Sequence, residues 1–86
     1  ELVIYTGFSP NGDGINDFFR IDGLQRYPNH ELTVFNRWGN RVFHSKNYKN
    51  DWDGTWSDRQ LPDGTYFYLF NDGEGNTYSG YVQIRR

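Results

Sequence analysis

The chain predicts an all-β fold, an Ig-like antiparallel β-sandwich of about six to seven strands. Three observations carry this. Turn-forming clusters of Gly, Asn, Asp and Pro recur about every ten residues, which is the spacing of short strands in a sandwich. No stretch places apolar residues at helical spacing, and alanine, the strongest helix former, is absent from the chain. Seven Phe, seven Tyr and three Trp make 20% of the residues aromatic, and aromatics suit a pleated, half-buried surface.

The elements follow in order. Leu2 to Phe8 is β-rich and stops at Ser9-Pro10. Asn11-Gly12-Asp13-Gly14-Ile15-Asn16-Asp17 favours turns and left-handed backbone over a ladder. Phe18 to Ile21 reads as a short strand closed by Asp22-Gly23, and Tyr27 to His30 as a loop around Pro28. Glu31–Asn36 and Asn40–Ser45 form a hairpin, with Gly39 placed for its left-handed residue and Trp38 exposed at the tip. Lys46 to Gln60 is polar and aromatic, with a turn at Asp51-Trp52-Asp53-Gly54. Thr65–Phe70 is the strongest strand, and Thr77–Arg85 pairs back on it across the turn Asn71–Asn76. In Pro62-Asp63-Gly64-Thr65-Tyr66-Phe67-Tyr68, Tyr66 has the placing of a tyrosine corner, with Tyr68 as a core residue two positions on.

Length and charge bound the function. With 86 residues there is room for one domain, residues 1–86, and for a core that must be dense in large side chains. Lacking Met, the chain reads as a mature or C-terminal piece of a longer secreted protein. Cysteine is absent too, so disulfides and thiolate metal sites are excluded, and a disulfide-free exported domain suggests a bacterial envelope. The net charge of −2, with signs interspersed, argues against nucleic acid.

The candidate sites are few. Asn11, Asp13, Asn16 and Asp17 offer oxygen ligands that would suit calcium, with Asn11, Asp13 and Asp17 as the metal candidates. Ile15 breaks the EF-hand pattern, however, and the same letters explain a loop capped by its own Asx side chains. Asp51 and Asp53 read as a solvated turn rather than a glycosidase pair. His30 and His44 stand alone, and His44-Ser45 would face opposite sides of a strand, so neither metal nor nucleophilic chemistry is expected. No cofactor is expected, and the domain reads as a non-enzyme. Trp38, Trp52 and Trp56 would make a sugar-stacking platform if they lined one face.

These residues resemble a known family. Phe8-Ser9-Pro10-Asn11-Gly12-Asp13-Gly14-Ile15-Asn16-Asp17 is similar to the opening signature of the gliding-motility-associated C-terminal domain, the type B sorting domain of the type IX secretion system. The resemblance continues through Phe35–Phe43, Tyr48–Trp56, Leu61–Tyr68 and Tyr78–Arg86. It implies a sorting signal at the C-terminus of a secreted protein or adhesin, exported through the periplasm and carried to the cell surface or beyond. The implied partners are the outer-membrane translocon and a dedicated outer-membrane protein. The expected epitope is Asn11, Gly12, Asp13, Gly14, Asn16, Asp17, Trp38, Gly39, Asp53, Gly54, Arg85 and Arg86, with Tyr66 and Tyr68 structural. A structural Ig-like spacer or adhesin module, and less so a carbohydrate-binding module, are the alternatives.

Overall fold

The computed structural model describes residues 2–86; Glu1, counted in the domain above, lies outside them. Among the described residues nine strands are formed: β1 Val3–Ile4, β2 Gly7–Phe8, β3 Ile21–Asp22, β4 Glu31–Phe35, β5 Arg41–Ser45, β6 Thr55–Trp56, β7 Arg59–Gln60, β8 Gly64–Asn71 and β9 Thr77–Ile84. One 3₁₀ turn, Leu24–Arg26, precedes β4.

The main sheet has the order β2-β9-β8-β4-β5. β9, β8, β4 and β5 are antiparallel, as expected, and their order is that of the G, F, C and C′ strands of an Ig-like sandwich. β2 differs, running parallel to β9 with Gly7 opposite Gln83 and Phe8 opposite Ile84. The expected single strand Leu2–Phe8 is therefore two. Its first half pairs antiparallel with β3, and the chain bends at Thr6 to change layer.

The second layer departs most from expectation. Of the expected Phe18–Ile21 strand only Ile21 is in a strand, which runs on to Asp22, and Phe18 is exposed. Irregular chain does the rest, held by side chains that imitate a ladder. Asn50 accepts the Ile21 N–H at 2.8 Å and donates its amide to the Ile21 carbonyl at 3.1 Å. The Tyr48 hydroxyl donates to the Phe19 carbonyl at 2.5 Å and accepts the Trp52 N–H at 3.1 Å, while the Phe19 N–H reaches the Trp52 carbonyl at 3.0 Å. Strand geometry is thus replaced, with every named backbone group still satisfied.

Between the layers lies an aromatic core. Phe8, Phe19, Tyr48, Trp52, Tyr66 and Phe70 are buried with Leu32, Val34, Val82 and Ile84. Phe43 stands over Trp52 at 5.2 Å between ring centroids, and Phe19 meets Tyr68 at 6.0 Å. Trp52 belongs to this core, its indole N–H bonded to the Thr55 carbonyl, so a platform of three Trp is not formed; Trp38 and Trp56 are exposed. Tyr68 is half-buried against the core and lies beneath Gly80, where a Cβ would meet its hydroxyl at 2.7 Å.

His30 and Asp72 are buried polar groups. His30 donates Nδ1–H to the Tyr27 carbonyl at 2.7 Å and accepts the Tyr48 N–H at Nε2, a pattern that fixes its neutral tautomer. Asp72 opposes two effects. Burial pushes its carboxyl up, but N–H bonds from Glu74, Asn76 and the Asn76 side chain outweigh this and hold it below the usual carboxylate value.

The expected tyrosine corner is present: Tyr66 is buried and its hydroxyl donates to the Pro62 carbonyl at 2.8 Å. Tyr66→Phe should cost about 1–2 kcal/mol, because that carbonyl loses its partner, and coincident urea midpoints would disprove the corner's contribution. For Asp72, a depressed carboxyl stabilises the fold above the unfolded value of about 3.9 and loses that contribution as pH falls below it. Asp72→Asn should therefore be less stable than the parent at pH 7, with the gap narrowing at pH 3. A gap that is constant or widens in acid would contradict this origin.

Candidate functional site

Strand directions gather the signature segments at one pole. β2 and β9 run parallel toward it, β8 starts there at Gly64 opposite Ile84, and the β4–β5 hairpin turns there, since Phe35 lies opposite Phe67 near the start of β8. The Ser9–Asp17 loop, the Asn36–Asn40 turn, the Leu61–Asp63 loop and Arg85-Arg86 all emerge at this pole. The Asn71–Asn76 turn and Leu2, which leads into β1, lie at the other.

The Asn11–Asp17 loop is built from its own side chains. Asp17 accepts the Gly12 N–H at 3.1 Å with one oxygen and the Gly14 N–H at 2.8 Å with the other. Asn11 accepts from Asp13 and Asp13 from Ile15, at 3.1 and 2.9 Å. Gly12 and Gly14 both sit at φ 81°, and Asn16 at φ 54°, the left-handed backbone that Gly and Asn tolerate best. The Ser9 N–H bonds the Asn16 carbonyl at 2.6 Å and closes the loop. The carboxylates therefore face backbone donors, leaving Ile15 at the tip 69% exposed.

Arg86 is the second fixed point. Its guanidinium donates to the Leu61 carbonyl, to the Gly54 carbonyl at 3.0 Å and to Asp63 at 3.3 Å, while Asp63 also accepts the Arg86 N–H at 3.1 Å. Gly54, at φ 79°, lies so close that a Cβ would stand 3.1 Å from the guanidinium and 3.3 Å from Ile84. Here the glycine is required by both backbone and space. Arg85, by contrast, is exposed. The two terminal arginines have different work: one ties the pole together and the other faces outward.

Between these points is a cleft of about 410 Å³, lined by Asn11, Asp17, Phe18, Asp53, Thr55 and Arg86 among others. Asp53 holds the Thr55 hydroxyl at 2.7 Å on its wall. The structure thus brings Asn11, Gly12, Asp17, Asp53, Gly54 and Arg86 together. Trp38 and Gly39 are set apart on the hairpin, beside a second hollow formed with Leu61, Asp63 and Tyr66. Gly39 is at φ 82° and Trp38 is 76% exposed, as expected, with the Arg37 guanidinium 5.2 Å from its ring. Asn36 organises this turn, its side chain accepting from the Trp38 and Asn40 N–H groups. Asp63 is the residue that the sequence reading omits from the site. Its pairing with Arg86 joins groups 23 positions apart, and only the Asp-Gly dipeptide marks it, as a turn.

With its oxygens spent on N–H groups, the loop should gain little from calcium. Melting curves in millimolar calcium and in chelator should nearly coincide, whereas Asp17→Ala, which strands two N–H groups at an exposed site, should cost about 1 kcal/mol. A calcium shift of many degrees, or an inert Asp17→Ala, would overturn this account of the loop.

Comparison with known proteins adds the family. Residues 2–84 match the model described as the CHU_C type IX secretion signal domain. No curated protein matches the chain. The match spans nearly the whole chain and agrees with the type B sorting-domain resemblance. It implies interaction with the type IX secretion machinery and export to the cell surface or medium. The chain belongs to the type IX secretion signal domain family, and it serves as the sorting signal.

Proposed function

We propose that the pole carrying Asn11–Asp17, Trp38-Gly39, Asp53-Gly54 and Arg85-Arg86 is the epitope that the secretion machinery reads. In this reading the domain folds in the periplasm as the C-terminal part of a longer protein. It presents the pole to the outer-membrane translocon and to a dedicated outer-membrane partner. The observation that carries it is convergence: segments scattered along the sequence meet at one end, and loops of so polar a composition are each held in one shape by their own bonds. Preorganisation of this kind lowers the entropy lost on recognition.

Recognition without bond chemistry is the accompanying part of the proposal. Both histidines are committed elsewhere, His30 to backbone groups and His44 to Glu31, whose carboxyl the imidazole holds below its usual value. The pole also lies opposite the end at which Leu2 enters β1, so cargo joined on the N-terminal side would leave the epitope uncovered.

Residues 1–86 fused behind an export signal and a reporter should carry the reporter outside only in cells with an intact type IX translocon. Ile15→Asp, Trp38→Ala and Arg85→Ala alter exposed side chains at the pole and should shift stability by no more than about 0.5 kcal/mol. Combined, they should sharply reduce export, while Glu74→Ala at the opposite end should not. Full export of the folded triple variant would refute the pole as epitope.

A further inference from the structure

The two long edges of the main sheet are treated differently. β5, at one edge, carries Arg41 and His44, the latter paired with Glu31 of β4, and its pairing with β4 is broken by a register shift between Val34 and Phe35. Charges and irregularities of this kind are how sheet proteins prevent another chain from adding to an edge. β9, at the other side, has none of them. From Thr77 to Ile84 the sequence is TYSGYVQI, eight residues without a charge or a proline.

β9 is also only partly covered. β2 pairs with it at Gln83 and Ile84 alone, because the chain bends at Thr6 and sends β1 to β3 instead. The N–H groups of Gln83 and Arg85 point to this side, reaching the Thr6 and Phe8 carbonyls at 2.8 and 3.1 Å. Backbone direction alternates along a strand, so Thr77, Ser79 and Tyr81 present their polar groups to the same side, away from β8. No strand among the described residues meets them there, and all three are exposed.

We propose that the β9 edge from Thr77 to Tyr81 is a strand-addition site, taken by an extended segment of a partner protein. The chemistry selects the occupant. Donors and acceptors repeating every second residue match an extended backbone, which completes the row that β2 begins. The outer face beside the edge is apolar and uncharged: Tyr81 is 49% exposed, with Phe67 and Leu69 on β8 at 45% and 41%. A fitting segment is therefore uncharged, with apolar residues at alternate positions on that face. This inference rests on the sorting role but concerns the flank of the sheet, not the loops of the pole, so the two are tested separately.

Ser79→Pro removes an N–H that faces the open edge and leaves the β8–β9 ladder intact, the one setting in which a strand tolerates proline. Ser79→Lys keeps the backbone and adds the charge that β5 has and β9 lacks. Thr33→Lys puts the same charge on an interior strand one step further from the edge, where Thr33 lies opposite Leu69 on one side and His44 on the other, and it serves as the control. Each variant is purified for its urea midpoint and tested in the reporter fusion. In folded variants, the missing N–H of Ser79→Pro or the added charge of Ser79→Lys should lower export about tenfold or more, with Thr33→Lys near the parent. If Ser79→Pro does not fold, Ser79→Lys decides. Parental export of the folded Ser79 variants overturns the edge while leaving the pole reading intact, and equal loss with Thr33→Lys assigns recognition to the face instead. Sedimentation of the parent completes the test: a monomer is expected, and a dimer abolished by Ser79→Pro would give the edge to a second copy and overturn the proposal.

Discussion

The Tyr48 hydroxyl is the contact on which the rest of the structure depends. It donates to the Phe19 carbonyl and accepts from the Trp52 N–H, so one buried oxygen joins two segments of a layer with almost no strands of its own. Without it, Phe19 and Trp52 would present unsatisfied backbone to the core and lose the position from which they cover Phe8, Phe43 and Tyr68. Burial pushes the Tyr48 phenol well above its ordinary value, so it stays protonated and available as a donor. A domain of this size leaves a large fraction of its chain at the surface. Here a few rings and their polar atoms do the work that a second sheet does in a larger sandwich.

That layer then sets the pole. Trp52 in the core fixes the turn that follows it, and Gly54 offers its carbonyl to both Leu61 and Arg86. Asp53 and Thr55 become a wall of the cleft. The opposite wall, the Asn11–Asp17 loop, follows Phe8, which is buried and paired with Ile84. Core and pole are therefore continuous, and substitutions at Gly54 or Arg86 are expected to act on the proposed epitope by moving it rather than by removing a contact.

Much of this was legible in the sequence where local chemistry decides the outcome. Asn11–Asp17 reads as a self-capped loop because Asn, Asp and Gly state their preferences within a few residues. The Gly39 turn and the Tyr66 corner are legible for the same reason. Non-local choices were not. Nothing in Leu2–Phe8 shows that its halves serve different sheets, since both are β-rich and the bend at Thr6 is imposed by pairing. Phe18–Ile21 looks like a strand, but Tyr48 satisfies Phe19 and Asn50 satisfies Ile21, each from 29 residues away. Asp63 hid as a turn residue, since its partner Arg86 is 23 positions away. The open edge of β9 was invisible too, because an edge is defined by which strand fails to arrive.

The closing of the sheet at its two ends has a consequence for timing. Phe8 pairs with Ile84, and Arg86 supplies bonds that hold Gly54, Leu61 and Asp63. The first and last segments must meet before the pole takes shape, and contacts this distant in sequence form only after the intervening chain is available. A polypeptide emerging from its N-terminal side stays unfinished here until residue 86 is free. The pole is thereby assembled only in a chain that has delivered residues 84–86: a product truncated before them lacks both the pairing with Phe8 and the arginine clamp.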